Sequence, residues 1–164
     1  MKQIIPLQPL SQSISSEHFS LRLSPTAYEL KMTLKMSTPI FHTCDLPATY
    51  TILQKILPSI FTSQCFNDNK YAFTQEVKNT EIGHLFEHIL LEYLCIERMN
   101  MGYEEAVFNG VTNWNWIEDP KGTFHIIIDA GWDEKELILT ALEKSIQLLH
   151  LILETKNISS SIYN

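Results

Sequence analysis

The sequence has few cysteines, few glycines and few basic residues, and it has no long apolar run. Its 164 residues include three cysteines and five glycines, with 12 Lys and Arg against 19 Asp and Glu. Cys44, Cys65 and Cys95 are odd in number and widely spaced, which argues against a disulfide scaffold and favours a reducing compartment. No apolar stretch reaches the length of a membrane span. We therefore expect a cytoplasmic protein that does not act at a membrane.

The negative net charge of the chain indicates which classes of binding partner to expect. With a net charge of −7, the chain lacks the basic surplus that nucleic acids and anionic membrane surfaces select. We expect neither as a partner, and the same charge favours a basic substrate over an acidic one. A hydrophobic content of 45% and a charged content of 19% are typical of one globular domain at this length.

Hydrophobic periodicity predicts an α+β domain. Two-residue alternation predicts strands, and apolar stripes at helical spacing predict helices. The predicted strands cover 26–36, 71–77 and 124–129. The predicted helices run from Asp45 to 57, from Thr80 to about 100, and from Asp133 to about 153, each named residue being the expected N-cap. The expected architecture is a single two-layer domain, with a small, mostly antiparallel sheet packed against three main helices.

The ends of the chain and one internal stretch give weaker signals. Residues 1–20 are rich in Gln and Ser and are predicted to form a loosely ordered arm. The domain proper is expected to span 21–155, and a frayed polar tail is expected over 156–164. Residues 103–121 look irregular, and they carry Trp114 and Trp116 on one side of an alternation. These tryptophans either cover the core or line a substrate groove.

The chemistry of the chain centres on the pattern His84-x-x-Glu87-His88, within the stretch from Thr80 to Leu94. A helix places the two histidines one turn apart on the same face, with Glu87 beside them. Most of the other positions are apolar, so this helix is expected to be largely buried. Two imidazoles and a carboxylate are costly to bury without partners, and a divalent cation is the simplest partner. The alternative is a buried polar cluster in which both histidines hydrogen-bond to carboxylates elsewhere.

A family resemblance rests on residues spread from Asp45 to Leu153. They are Leu57-Pro58-Ser59, Cys65, Val77, the run Thr80-x-x-Gly83-His84-x-x-Glu87-His88-x-x-Leu91-Glu92, Gly110-x-Thr112 and the strand ending at Asp129, preceded by the alternating strand Tyr28 to Met36. Together they resemble the N-terminal domain of cyanophycin synthetase. The resemblance implies a small α+β module that in some synthetases looks like a metallohydrolase able to cut the polymer within its chain. Over the His-x-x-Glu-His motif alone, the helix is also similar to pitrilysin-type peptidases.

The chain departs from that family pattern in two ways. It has no glycine-rich phosphate loop and stops where a synthetase would continue into ligase domains, so we expect no polymer synthesis. After Gly110-x-Thr112 the family usually carries an Arg, where this chain has Asn113-Trp114-Asn115-Trp116. Contacts to a polymer are therefore expected to differ.

The leading functional hypothesis is a hydrolase of peptide or amide bonds that uses one divalent metal ion, zinc being expected. His84 and His88 are the expected ligands, and Glu87 is the expected general base for the attacking water. A catalytic zinc needs a third protein ligand. Asp129 is the first candidate, because the resembled family also carries an acid there, and Glu92 is an alternative or an orienting group. Weaker candidates are His125, Glu118 and Glu143, whereas His18, His42 and His150 are interpreted as ordinary surface or core histidines.

Two other functions stay open at this point. One is a non-catalytic module that binds a polypeptide or a partner enzyme. The other is a metal-dependent lyase or isomerase, since a histidine pair with a Glu base also suits proton transfer beside a carbonyl. The pattern makes no prediction of oligomeric state.

Overall fold

The computed structural model describes residues 12–62 and 72–162, with the backbone alone for 157–162. Its strands are β1 Gln12–Ser15, β2 Phe19–Pro25, β3 Leu30–Met36, β4 Gly110–Asn113 and β5 Thr123–Ile128. Its α-helices are α1 Thr49–Ile56, α2 Phe73–Glu76, α3 Ile82–Asn100 and α4 Lys135–Ile162. Short 3-10 segments cover Thr43–Asp45, Pro58–Thr62 and Trp132–Glu134.

The five strands form one antiparallel sheet in the order β1-β2-β3-β5-β4. Alternate residues of each central strand are buried, which gives the sheet one apolar face and one solvent face. The register places Leu21 opposite Leu34 and Leu34 opposite Phe124, so the buried residues form continuous rows across the sheet. The same parity puts Gly110 and Thr112 of β4 on the buried face, because they pair with Ile128 and Ile126.

The helices cover the apolar face of this sheet. α3 packs on β4 and β5, and α4 packs on α3. Side chains from the sheet, from α1 and from both long helices belong to a single hydrophobic core. The predicted α+β domain, with a small antiparallel sheet and three main helices (α1, α3 and α4), is confirmed. No helix in the described ranges is long and apolar enough to cross a membrane.

At the two chain ends, the described residues form more regular structure than the sequence predicts. Residues 12–20 belong to β1 and to the start of β2, with Phe19 fully buried and paired with Met36, whereas residues 1–11 of the expected arm lie outside the described residues. β1 is an edge strand with exposed side chains, and its polar composition therefore resembled a loop. At the other end, α4 continues to Ile162. No Gly or Pro interrupts residues 135–162, so the backbone hydrogen bonds continue through the polar segment.

The predicted strand over 71–77 is instead the short helix α2, with Tyr71 outside the described residues. Phe73 and Val77 are both buried, and their spacing of four residues matches one helical turn as well as a strand alternation. The segment 103–121, predicted as irregular, contains β4. Its four residues form an edge strand with little apolar character.

All three predicted N-caps were wrong. Asp45 ends a 3-10 segment before α1, and Glu81 stands at the N-cap of α3. The Thr80 hydroxyl contacts His84 instead of a backbone amide. Asp133 lies in a 3-10 turn whose amides bond to the β2–β3 connection, with the Asp133 amide donating to the Ala27 carbonyl at 3.0 Å. Tertiary contacts, and not local capping, set these helix starts.

Candidate metal centre

A cleft of about 560 Å³ lies between α3 and the segment that contains β4. The pattern residues His84, Glu87 and His88 line it from the helix side. The other lining residues are Leu91, Glu92, Cys95, Val107, Phe108, Asn109, Gly110, Val111 and Thr112. The His-x-x-Glu-His face of α3 is therefore directed at a concave surface.

Two glycines allow α3 to approach the sheet closely at this point. A Cβ on Gly83 would lie 2.4 Å from Cγ of Phe124, a distance that real side chains do not adopt. A Cβ on Gly110 would lie 3.1 Å from Cγ of Glu87. The missing side chains thus set the separation between the helix and β4, and with it the position of Glu87.

The two histidines face each other through their Nε2 atoms, which are 3.1 Å apart. His84 is held at its other nitrogen, because Nδ1 lies 2.8 Å from the Thr80 hydroxyl and 3.9 Å from a Glu76 carboxylate oxygen. The His88 ring stacks on Phe73, with centroids 4.1 Å apart and planes inclined by 17°. Both rings are therefore oriented by contacts outside the cleft, as metal-binding histidines usually are.

The donor set fits a zinc-like ion. One ligand atom each from His84, Glu87 and His88 lies within 4.8 Å of the others. Two nitrogens bound to tetrahedral zinc at about 2.0–2.1 Å lie about 3.3 Å apart, close to the Nε2 separation seen here. Two imidazoles and one carboxylate also form a ligand set that catalytic zinc sites use.

Glu87 is the most perturbed acid of the cleft. It is 5% exposed, and its Oε1 accepts a hydrogen bond of 2.9 Å from the Thr112 hydroxyl. Burial raises the pKa of Glu87 to about 7, and the bond from Thr112 opposes that rise. A carboxyl group with such a pKa can both accept and release a proton near neutral pH.

Burial acts in the opposite direction on the histidines. It lowers the pKa of His88 to about 3, with the neighbouring His84 contributing further. The pKa of His84 is also lowered by burial, with a smaller upward effect from Glu81. Both rings are therefore neutral at physiological pH, and neutral imidazole is the form that binds metal ions.

Asp129, the first choice for a third ligand, lies elsewhere. It is exposed, and its two carboxylate oxygens accept hydrogen bonds from the backbone amide and the side-chain amide of Asn109, at 2.8 and 3.0 Å. Asp129 follows the last residue of β5, and it is outside the group of three close ligands among the described residues. The structure therefore does not bring Asp129 into that group, and its role as the third ligand stays a prediction.

The other candidate acids and bases are distributed differently. Glu92 lines the cleft but stands outside the group of three close ligands among the described residues. His125 is on the solvent face of the sheet, where its Nε2 lies 2.8 Å from Asp119. Glu118 and Glu143 are exposed and likewise outside that group. Among the described residues, Glu87 supplies the carboxylate of the group of three close ligands.

Neither tryptophan is among the described side chains that line the cleft. Trp116 donates its indole N–H to the Thr123 carbonyl at 2.9 Å, and its ring lies 5.6 Å from that of Phe124. The Trp114 ring lies 6.0 Å from Phe124. The two rings lie at the edge of the core at Phe124, so the structure does not bring Trp114 and Trp116 into this cleft, and their part in substrate binding stays a prediction.

Sequence reasoning missed three residues that shape the site. Glu76 and Phe73 belong to α2, which was predicted as a strand, and Thr112 was noted only as part of a resemblance. The spacing Thr80-x-x-x-His84 was a usable signal for the contact with His84, because residues four apart adjoin on a helix. The contacts of Phe73 and Thr112 had no local signal.

Comparisons with known proteins agree with this architecture. A family model described as "Cyanophycin synthase-like N-terminal domain" matches residues 29–154. A cyanophycin synthetase from Crocosphaera subtropica (strain ATCC 51142 / BH68) is 27% identical over 86 residues, which cover 49% of this chain and 10% of the relative. The aligned part is thus about a tenth of that relative's length.

Proposed function

Because the chain belongs to the cyanophycin synthase-like N-terminal domain family and has two neutral histidines beside a buried carboxyl group, we propose that it is a metal-dependent hydrolase of peptide or amide bonds. The observation that carries the proposal is the 3.1 Å approach of the two Nε2 atoms, with Glu87 beside them in an open cleft. The similarity of the His-x-x-Glu-His helix to pitrilysin-type peptidases belongs to the same proposal.

Within the proposal, His84 and His88 hold one divalent ion, zinc being the best match to the donors. A bound zinc supplies Lewis-acid activation of water and of the scissile carbonyl. The Thr80 hydroxyl and the Phe73 ring keep the two imidazoles directed at each other, so little reorganisation is needed for binding. The third ligand would be the Glu87 carboxylate, which belongs to the group of three, or Glu92, which also lines the cleft.

Glu87 is assigned the proton transfer when it is not a ligand. Its pKa of about 7 lets it take a proton from the attacking water and return that proton to the leaving amine. The hydrogen bond from Thr112 fixes Oε1, which holds the carboxyl group in one orientation. Its burial keeps bulk water from competing for the same proton.

The proposed substrate is a peptide or polypeptide with basic side chains. The cleft carries the carboxylate of Glu92 and no Lys or Arg among its described lining residues. A cationic side chain is the charge that such a lining favours. Cyanophycin is a substrate to test, because the relative is named a cyanophycin synthetase.

The proposal has a direct test. Wild type purified without chelator is assayed by elemental analysis for bound metal and by mass spectrometry for cleavage of basic peptides and of cyanophycin. His84→Ala is expected to lose metal and turnover together. Glu87→Gln is expected to lose turnover, and its metal content then reports whether Glu87 is a ligand. His125→Ala, on the solvent face of the sheet, is the matched control and is expected to resemble wild type.

A polypeptide-binding module is the second candidate, and one observation favours it. The polar groups of the site already satisfy one another, His84 through Thr80 and His88, and Glu87 through Thr112. If wild type binds basic peptides without cleaving them, and Glu87→Gln binds them equally well, the hydrolase is excluded and this module takes its place. Turnover of a small carbonyl substrate without peptide cleavage would instead indicate the lyase or isomerase.

We also propose a cytoplasmic location. Cys44 and Cys95 are free thiols, and Cys65 lies outside the described residues. Free thiols are typical of reducing compartments.

A further inference from the structure

We propose a second divalent-metal site, formed by His18, His150 and Glu154, that joins the β1–β2 turn to helix α4. This cluster is separate from the cleft and has no part in the proposed hydrolysis. One ligand atom from each of the three residues lies within 4.8 Å of the other two. The ligand class is a borderline divalent cation such as zinc, because two imidazoles and one carboxylate suit it.

The geometry converges on one carboxylate oxygen. Oε1 of Glu154 lies 2.6 Å from Nε2 of His18 and 3.4 Å from Nε2 of His150. The two imidazole rings are 5.3 Å apart between centroids, with planes inclined by 45°. Ligand atoms on tetrahedral zinc are about 3.3 Å apart, so only the shorter of the two contacts has to open when an ion enters.

The backbone presents His18 in a fixed position. The Ser16 hydroxyl oxygen accepts hydrogen bonds from the amides of His18 and Phe19, at 3.3 Å each, and the His18 carbonyl accepts one of 2.8 Å from the Ser37 amide. His150 and Glu154 are four residues apart on α4 and therefore project from the same face of the helix. The three ligands thus come from a hydrogen-bonded turn and from one face of a helix.

One ligand of the cluster is buried and the other two are partly exposed, which would let an ion enter from solvent. His18 is 3% exposed, whereas the side chains of His150 and Glu154 are 42% and 35% exposed. The outer side leaves a path for entry and room for a water as a further ligand. Nδ1 of His18 is buried without a hydrogen-bond partner in the part of the chain that is described. The contact with Glu154 therefore leaves the His18 ring incompletely satisfied, and the cluster is not a closed network of hydrogen bonds.

An ion at this position would act as a clip between distant parts of the chain. His18 and Glu154 are 136 residues apart in sequence. Cross-links that close long loops remove much conformational entropy from the unfolded chain, and metal binding adds directly to folding stability. The expected role is to fasten α4 to the β1–β2 hairpin, which is at the other end of the sheet from β4 and the cleft.

The test uses the full chain with the first site removed. In a His84→Ala/His88→Ala background, equilibrium dialysis against Zn²⁺ alone, followed by elemental analysis, is expected to give one zinc per chain. Removing a ligand weakens metal binding more than removing a hydrogen-bond partner of a ligand does. Adding His150→Ala is therefore expected to weaken zinc binding on the order of 100-fold. Adding His125→Ala, a histidine with one carboxylate partner and no third ligand, is expected to leave binding unchanged.

A second readout separates binding from folding. Zinc is expected to raise the thermal midpoint of the background variant and to have no such effect once Glu154→Gln is added. Both substituted side chains are partly exposed, and midpoints measured with chelator check that each variant is folded. The proposal is overturned if the background variant takes up no zinc, or if His150→Ala and Glu154→Gln bind it as tightly as the background does.

Discussion

Thr112 is the residue of strand β4 that contacts the carboxyl group of Glu87 in the cleft. Its hydroxyl donates to Glu87 at 2.9 Å and is the main influence opposing the rise in the pKa of that carboxyl. Removing the hydroxyl would leave a buried carboxyl group with burial alone acting on it. The proton affinity of Glu87 is therefore set jointly by a helix and by an edge strand.

Thr112→Val is expected to raise the pKa of Glu87 above its value of about 7. If Glu87 is the general base, the acid limb of the pH–rate profile for peptide cleavage then moves to higher pH, because the base must be ionised. The measurement is kcat/KM against pH for wild type and variant. Thr112→Ser keeps the hydroxyl and serves as the control. An unshifted profile for Thr112→Val would argue against Glu87 as the base.

His88 gives a second prediction at this scale, for chelator-treated protein. Its pKa is about 3 when folded, against an ordinary value of 6.5, so between these values the unfolded chain binds the proton more strongly. Stability from this group is therefore complete above about pH 6.5 and is lost as pH falls toward 3. Glu87, with its raised pKa, contributes oppositely between its ordinary value of 4.5 and about 7.

His88→Gln isolates the histidine contribution, because Glu87 is present in both proteins. The thermal midpoint of wild type is expected to fall relative to that of the variant between pH 7 and pH 5. The measurement is a pair of melting curves at each pH, with chelator throughout. Parallel behaviour of the two proteins would mean that the pKa of His88 is not lowered in the folded state.

At the scale of the element, the short helix α2 contributes residues that contact the two histidines of the cleft. This four-residue helix supplies Phe73, which is fully buried and stacks on His88, and Glu76, which lies near His84. The His-x-x-Glu-His helix is therefore not a self-sufficient site. Its imidazoles are oriented from α2 and from the turn at Thr80.

Phe73→Ala is expected to destabilise the domain by about 3–5 kcal/mol, as large-to-small changes in a core do. It should also weaken zinc binding at His84 and His88, because the stack that holds the His88 ring is lost. Leu149→Ala, at a fully buried position of α4, is the matched control for destabilisation. Denaturant unfolding and zinc titration are the measurements. Equal zinc affinity in the two variants would show that the stack does not orient His88.

At the scale of the whole molecule, the sheet and the helices share one core. Phe124 of β5 contacts the backbone of α3 at Gly83, and α3 packs on α4. Salt bridges from Arg98 to Glu134 and from Lys144 to Glu97 also join α3 to the segment that contains α4. No part of the described chain has a separate hydrophobic core.

The domain is therefore expected to unfold in one cooperative step. Denaturant titrations followed by far-UV circular dichroism, which reports helix, and by tryptophan fluorescence should give coincident midpoints. The titrations use a Trp132→Phe variant, because Trp132 directly precedes α4. The remaining Trp114 and Trp116 lie at the sheet edge by Phe124, so the fluorescence of this variant reports on the sheet. Separate transitions would show that α4 melts independently of the sheet.

The sequence by itself determined whatever depends on local periodicity. Helical spacing put His84, Glu87 and His88 on one face, and alternation identified β3, β5 and the α+β class. Periodicity gave the wrong element at Phe73 and Val77, because a spacing of four residues fits both a helix and a strand. It also missed the edge strand β1, whose residues are too polar to show an apolar alternation. It also failed at the helix starts, which are held by contacts with other segments.

Only the tertiary structure decided which distant residues meet. Antiparallel register and strand parity placed Thr112 on Glu87, and the loop before β4 paired Asn109 with Asp129. The packing of α4 brought Glu154 to His18, which is 136 residues away. A helix or strand pattern states which side a residue occupies relative to its neighbours. Which element covers that side depends on burying all apolar faces at once, and that is a property of the whole chain.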